Sequence, residues 1–170
     1  MRETAAMVVD PGGSTGVTMH LWDDMGTTAE RMASRKDLGS ETITGHWTEQ
    51  AEALAAMWRL FKHEMDEVRG VPTWLIVEDF ILTKFKSSDR TGLYPVWIAG
   101  CMYGHLATRR EQFIWQMPSA MTFATDQRLK DWGLWVKGRV HERAANRHFA
   151  FFVADKKQQN IRNARAHART

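Results

Sequence analysis

The chain opens with an apolar run, "TAAMVVD" from Thr4 to Asp10, that ends on an acid. The turn-forming "PGGSTG" follows, and then "VTMHLW", Val17 to Trp22, whose β-branched and apolar residues predict a second strand and hence a hairpin. "LGSETIT", Leu38 to Thr44, predicts a third strand. "WTEQAEALAAMWRLFKHEMDEV", Trp47 to Val68, carries apolar residues at helical spacing among Ala, Met and Glu, so it predicts a long amphipathic helix ended by "GVP". "TWLIVEDFIL", Thr73 to Leu82, is almost continuously apolar apart from Glu78 and Asp79, the pattern of a strand buried on both faces. A polar, mostly basic loop from Thr83 to Arg90 leads into a helix in "LYPVWIAGCMYGHLATRR" that begins near Pro95. "QFIWQM" predicts a strand, "PSAMTFATDQRLKDWG" a helix with its turn, and "VHERAANRHFAFFVAD", Val140 to Asp155, a last helix. Three strands, helix, strand, helix, strand and further helices make an α/β or α+β layer fold with parallel and antiparallel pairs in one sheet.

Composition narrows this little. At 170 residues, 44% hydrophobic and 25% charged, the chain is one globular domain with a real core, and it has no repeat or internal linker. The single cysteine, Cys101, lies in an apolar run; it forms no internal disulfide and reads as a buried structural thiol in a reducing compartment. No apolar segment approaches signal-peptide or membrane-span length at the N-terminus, so a soluble, cytoplasmic protein with no membrane partner is expected. Charge is more informative in its distribution than in its net +3. Residues 156–170, "KKQQNIRNARAHART", carry five Lys or Arg and no acid, whereas the body is slightly acidic. Such a tail is either a contact for nucleic-acid phosphates or a solvated terminus.

Two carboxylates occupy unusual places. Asp10 ends the first apolar strand and Glu78 interrupts the fourth, and an acid there is costly to desolvate unless it meets a cation or caps a turn. Gly12, Gly13 and Gly16 beside Asp10 keep bulky side chains away, which leaves room for a phosphate. Taken alone, "DPGGSTG" also resembles the first phosphate loop of actin-like ATPases. A small nucleotide-hydrolysing enzyme built on it would need about twice this length.

Four stretches in order, "VVDPGGSTGV", "IVEDF", "WQMPSAMTFATD" and "HERAANRH", resemble the RuvC family of Holliday-junction resolvases, particularly its phage-encoded branch, over about Met7 to Asp155. The resemblance implies an α/β, RNase H-like fold: a five-stranded mixed β-sheet flanked by α-helices, residues 1–155, with 156–170 as a basic C-terminal tail. It implies a homodimer acting on branched DNA in a bacterial or phage-infected cell. It also implies two Mg²⁺ or Mn²⁺ ions per active site, one to activate water and one to stabilise the leaving oxygen about 3.5–4 Å away. Asp10 and Glu78 match the family's strand acids. On the last helix the family has His or Asp, then Asp three residues on; His141 fills the first position and Ala144 the second, where an acid is expected. The metal ligands implied are therefore Asp10, Glu78 and His141, with Ala144 marking a missing one. His148 reads as a helix-surface histidine, and Asp155 lies too far along for the same site.

The resemblance also bears on DNA contacts. After the proline and Ser119 of "PSAMT" the family often has a phosphate-binding lysine, and here that position is Thr122. Lys84, Lys86, Arg90, Arg128 or Lys130 would then supply the charge. Phe85, in the basic loop after the fourth strand, suits a wedge at a junction centre. Trp58, Trp97 and Trp115 read as filling the core or the dimer interface, and the apolar helix "PVWIAGCMYGHL" as that interface. Two readings follow: a structure-specific endodeoxyribonuclease, this chain being an active-site knockout if Ala144 replaces an acid, or a junction-binding protein of the same fold that has lost catalysis.

Overall fold

The computed structural model describes residues 2–79, 90–106, 113–155, 158 and 160. Five strands form one sheet in the order β3-β2-β1-β4-β5. Strands β1 (Glu3–Asp10), β2 (Thr15–Asp23) and β3 (Lys36–Ile43) form an antiparallel meander. Strands β4 (Thr73–Glu78) and β5 (Phe113–Gln116) add to the other side of β1 in parallel. The central strand β1 is apolar from Ala5 to Val9 because helices cover both faces of the sheet, whereas β3 is an edge strand exposed along most of its length and is correspondingly polar.

Strand alternation decides which face each residue serves. Ala5, Met7 and Val9 of β1, with Leu75 and Val77 of β4, join one core with Leu54, Trp58 and Phe61 of helix α2 (Trp47–Lys62) and Ile98 and Met102 of helix α3 (Tyr94–Leu106). Ala6 and Val8, with Trp74 and Ile76, face the other way. They meet Ala145, Phe149, Phe152 and Val153 of the last helix, Val140–Ala154. By the same period of two, Asp10 and Glu78 fall on the face of that last helix. Phe149 and Phe152 are fully buried there, and truncating either to Ala would cost about 3–5 kcal/mol.

Three local departures from the sequence reading have identifiable causes. A short helix, α1 (Thr28–Ala33), stands where no element was expected; its signal is the capping box between Thr27 and Glu30. The expected helix of residues 47–68 is α-helical only to Lys62 and then widens into a π-helical stretch, His63–Val68. The expected helix of residues 118–133 is two pieces, α4 (Ala120–Phe123) and α5 (Asp126–Asp131), because Ala124 leaves helical geometry and Thr125 caps a new start by accepting from the Arg128 amide. The last helix is thus α6.

Trp58 is a core residue as expected, whereas Trp97 is only half-buried, on the outward side of α3 against Trp47, and Trp115 is exposed beside Tyr103. Cys101 is half-buried on α3 rather than sealed in the core. Among the described residues, no helix is long and apolar enough to cross a membrane.

Candidate metal centre

The site lies at the C-terminal ends of the parallel strands, where open α/β sheets commonly bind ligands. In the β1–β4 ladder Val9 pairs with Val77, which brings the next residues, Asp10 and Glu78, side by side. In the β4–β5 ladder Glu78 pairs with Gln116. Three polar side chains therefore form a row across three strands, on the face covered by α6.

The turn behind Asp10 is held by a buried amide. Gln50 of α2 accepts from the Thr15 hydroxyl at 2.6 Å and donates to the carbonyls of Gly13 at 3.1 Å and Gly45 at 3.0 Å. Gly16, which pairs with Asp10 across the hairpin, serves a different purpose: a Cβ there would lie 2.1 Å from the His141 carbonyl oxygen. Only glycine lets the first turn of α6 come this close to β2.

That approach brings His148, two turns further along α6, over the strand ends. Asp10, Glu78 and His148 each offer a ligand atom, and these atoms all lie within 4.8 Å of one another. His148 is fully buried, so the expectation of a helix-surface histidine is corrected. Its Nδ1 lies 3.0 Å from Gln116 Oε1, and its Nε2 lies 3.7 Å from Glu78 Oε1, too far for a hydrogen bond. Nε2 has no hydrogen-bond partner among the described residues.

The carboxyls repel and so share a proton. Burial first, and then the hydrogen bond and charge of Glu78, push Asp10 up to about 9. Burial alone would raise Glu78 too, but the facing His148 imidazole and the Asp10 carboxyl outweigh it and hold Glu78 below its usual value. A pair of carboxyls that keeps a proton at neutral pH, with an unpartnered buried imidazole nitrogen beside it, is a site lacking positive charge. Two hard oxygen donors and one imidazole suit Mg²⁺ or, better, Mn²⁺.

The other anticipated residues are distributed differently. His141 and Ala144 do share the α6 face of His148, seven and four residues before it, but His141 is not among the three groups brought together, and Ala144 is buried. Ser119 and Thr122 are exposed just beyond β5, with the Thr122 hydroxyl donating to the Ser119 carbonyl at 2.7 Å. Arg128 donates to the Phe123 carbonyl at 2.6 Å and lies over its ring, while Lys130 and Arg143 flank the Trp135 ring. Lys84, Phe85 and Lys86 lie outside the described residues, as do the side chain of Arg90 and nearly all of the tail.

Sequence reasoning missed His148 and Gln116. The signal for His148 was its place on the face of His141 and Ala144, and for Gln116 its position as a polar residue ending an apolar strand.

No protein-family profile matches the chain, and no curated protein matches it in sequence. Several solved structures do resemble its fold, two of Thermus thermophilus RuvC among them. Thermus thermophilus RuvC in complex with Holliday junction substrate matches with a TM-score of 0.58 and 14% identity, over 88% of this chain and 94% of that one. A second structure of Thermus thermophilus RuvC matches with a TM-score of 0.58 and 15% identity, over 88% and 95%. At such identity the likeness is one of fold: the RNase H-like five-stranded mixed sheet with flanking helices.

Proposed function

We propose that this chain is a metal-dependent endodeoxyribonuclease that resolves Holliday junctions and other branched DNA, with Asp10, Glu78 and His148 as ligands of Mg²⁺ or Mn²⁺. The observation that carries the proposal is the convergence of those three side chains at the strand ends of a fold shared with RuvC. In this reading His148 fills the role that the sequence had led us to seek at His141 and Ala144, two turns and one turn earlier on the same face.

The chemistry is apportioned as follows. A divalent ion bound here supplies Lewis acidity for phosphodiester hydrolysis. Asp10 and Glu78 provide the anionic pocket, giving up their shared proton as the ion enters. Gly13, where a Cβ would meet nothing within 4 Å, leaves space for a DNA phosphate, whereas the room expected at Gly16 is filled by the start of α6; Ser119 and Thr122 offer neutral hydroxyls at the rim. Lys84, Lys86, Arg90, Arg128 and Lys130 are the proposed backbone contacts, Phe85 the proposed wedge, and residues 156–170 a further basic contact beside the nuclease domain of residues 1–155.

Paired nicks across a two-fold symmetric junction call for two symmetry-related sites, so the active species is proposed to be a homodimer. The outward face of α3, with Trp97, Gly100, Cys101 and Gly104, is its interface. The test is direct: purified chain, a synthetic four-way junction and Mn²⁺ should give symmetric nicks that EDTA abolishes. Junction binding with no cleavage at any Mn²⁺ concentration would instead support a binding protein that has lost catalysis.

A further inference from the structure

Gln116 is nearly fully buried at the end of β5, and its backbone carbonyl accepts from the Asp79 amide at 2.7 Å, which fixes it beside Glu78. Burying a side-chain amide is costly unless its groups are used. Yet the Gln116 Nε2 has no hydrogen-bond partner among the described residues, so no complete polar network there explains the residue. Among the described residues its side chain bonds His148 Nδ1, at 3.0 Å.

An amide oxygen only accepts. In that contact Nδ1 carries a proton whether the ring is neutral or an imidazolium, so Nε2, on the Glu78 side, is the nitrogen that offers a lone pair when the ring is neutral. A reversed amide would do the opposite: its NH₂ would donate to a bare Nδ1 and move the proton to the nitrogen needed as a ligand.

We propose that Gln116 is a positioning residue that fixes the Nδ1–H form of His148 and aims Nε2 at Asp10 and Glu78, so that the imidazole is set as a ligand before any ion arrives. This inference rests on the reading of Asp10, Glu78 and His148 as a metal site. Position 116 then demands a long side chain with an acceptor atom: Glu meets the demand and Met, of similar shape, does not.

The experiment compares the full-length chain with its His148→Ala, Gln116→Met and Gln116→Glu variants. Mn²⁺ alone is titrated and followed by electron paramagnetic resonance. The ring nitrogens of His148 are read by ¹⁵N NMR in metal-free protein and assigned by their loss in His148→Ala. Gln116→Met is expected to weaken Mn²⁺ binding by roughly 10–100-fold and to lose the preference for Nδ1–H, while unfolding near the wild-type temperature. Gln116→Glu is expected to keep both the tautomer and the affinity. If Gln116→Met binds Mn²⁺ as the wild type does, or if wild-type His148 carries its proton on Nε2, the role of Gln116 is overturned and the metal site stands. Should Gln116→Met fail to fold, loss of the Nδ1–H form in Gln116→Glu overturns the role equally. If His148→Ala binds Mn²⁺ as tightly as wild type, the metal-site reading itself fails.

Discussion

His148 Nε2 lies 3.7 Å from Glu78 Oε1, although the two residues are 70 positions apart, one ending a strand and the other on the helix packed across that strand's face. Removing the imidazole should therefore be felt as a loss of ion affinity. His148→Ala is expected to weaken Mn²⁺ binding at least tenfold, whereas His141→Ala should leave it within a small factor, both measured calorimetrically. Equal losses in the two variants would mean that the whole first half of α6, and not His148, makes the site.

The carboxyl pair gives the metal-free protein a pH dependence of defined sign. Asp10, pushed up to about 9 from an ordinary 3.8, keeps a proton in the folded chain that the unfolded chain releases, so stability falls as pH rises through that window. Glu78, held low, acts oppositely, adding stability above the ordinary carboxylate range and losing it in acid. Asp10 has the larger effect near neutrality. Asp10→Asn is thus expected to raise the unfolding temperature in EDTA by on the order of 5 °C at pH 8 and to make little difference at pH 4. A gain of the same size at both pH values would point to packing, not charge.

The two readings of Ala144 separate cleanly. With His148 as the third ligand, the unaltered chain is expected to nick junctions in Mn²⁺, and Ala144→Asp to have no large benefit. An inert chain that gains orders of magnitude on Ala144→Asp would favour the view that position 144 has lost an essential acid.

Gly16→Ala is expected to act through α6. Its Cβ would overlap the His141 carbonyl, and backbone cannot yield as a flexible side chain does. A loss of roughly 1–3 kcal/mol in urea unfolding, with a parallel fall in Mn²⁺ affinity, is expected. Unchanged stability would show that the helix start relaxes without disturbing the strand.

On the DNA side, deleting residues 156–170 should weaken duplex and junction alike and flatten the salt dependence, each lost phosphate contact lowering the slope by about one unit. Phe85→Ala should harm junctions more than duplex. Equal losses on both substrates would reduce Phe85 to packing.

Much of this architecture was legible beforehand, for physical reasons that differ by element. Strand β1 announces itself because helices cover both its faces, and Asp10 and Glu78 stand out as the charges within such strands. The break at Ala124 was hidden because Thr125 reads equally well as a helix residue or a cap. His148 was passed over because a histidine on a helix looks alike whether that face meets water or a sheet; only the approach allowed by Gly16 decides it. Gln116 needed the register opposite Glu78, a non-local pairing that no local pattern contains.

The place of α6 after all five strands in chain order has a consequence for synthesis. Asp10, Glu78 and Gln116 all belong to strands finished by residue 116, but the imidazole belongs to a helix spanning Val140–Ala154. A growing chain, which folds as it emerges, therefore carries an incomplete centre until α6 is made. Prematurely terminated products ending before residue 140 would retain the carboxyl pair without its histidine, so the completed site exists only in chains that have been translated past residue 148.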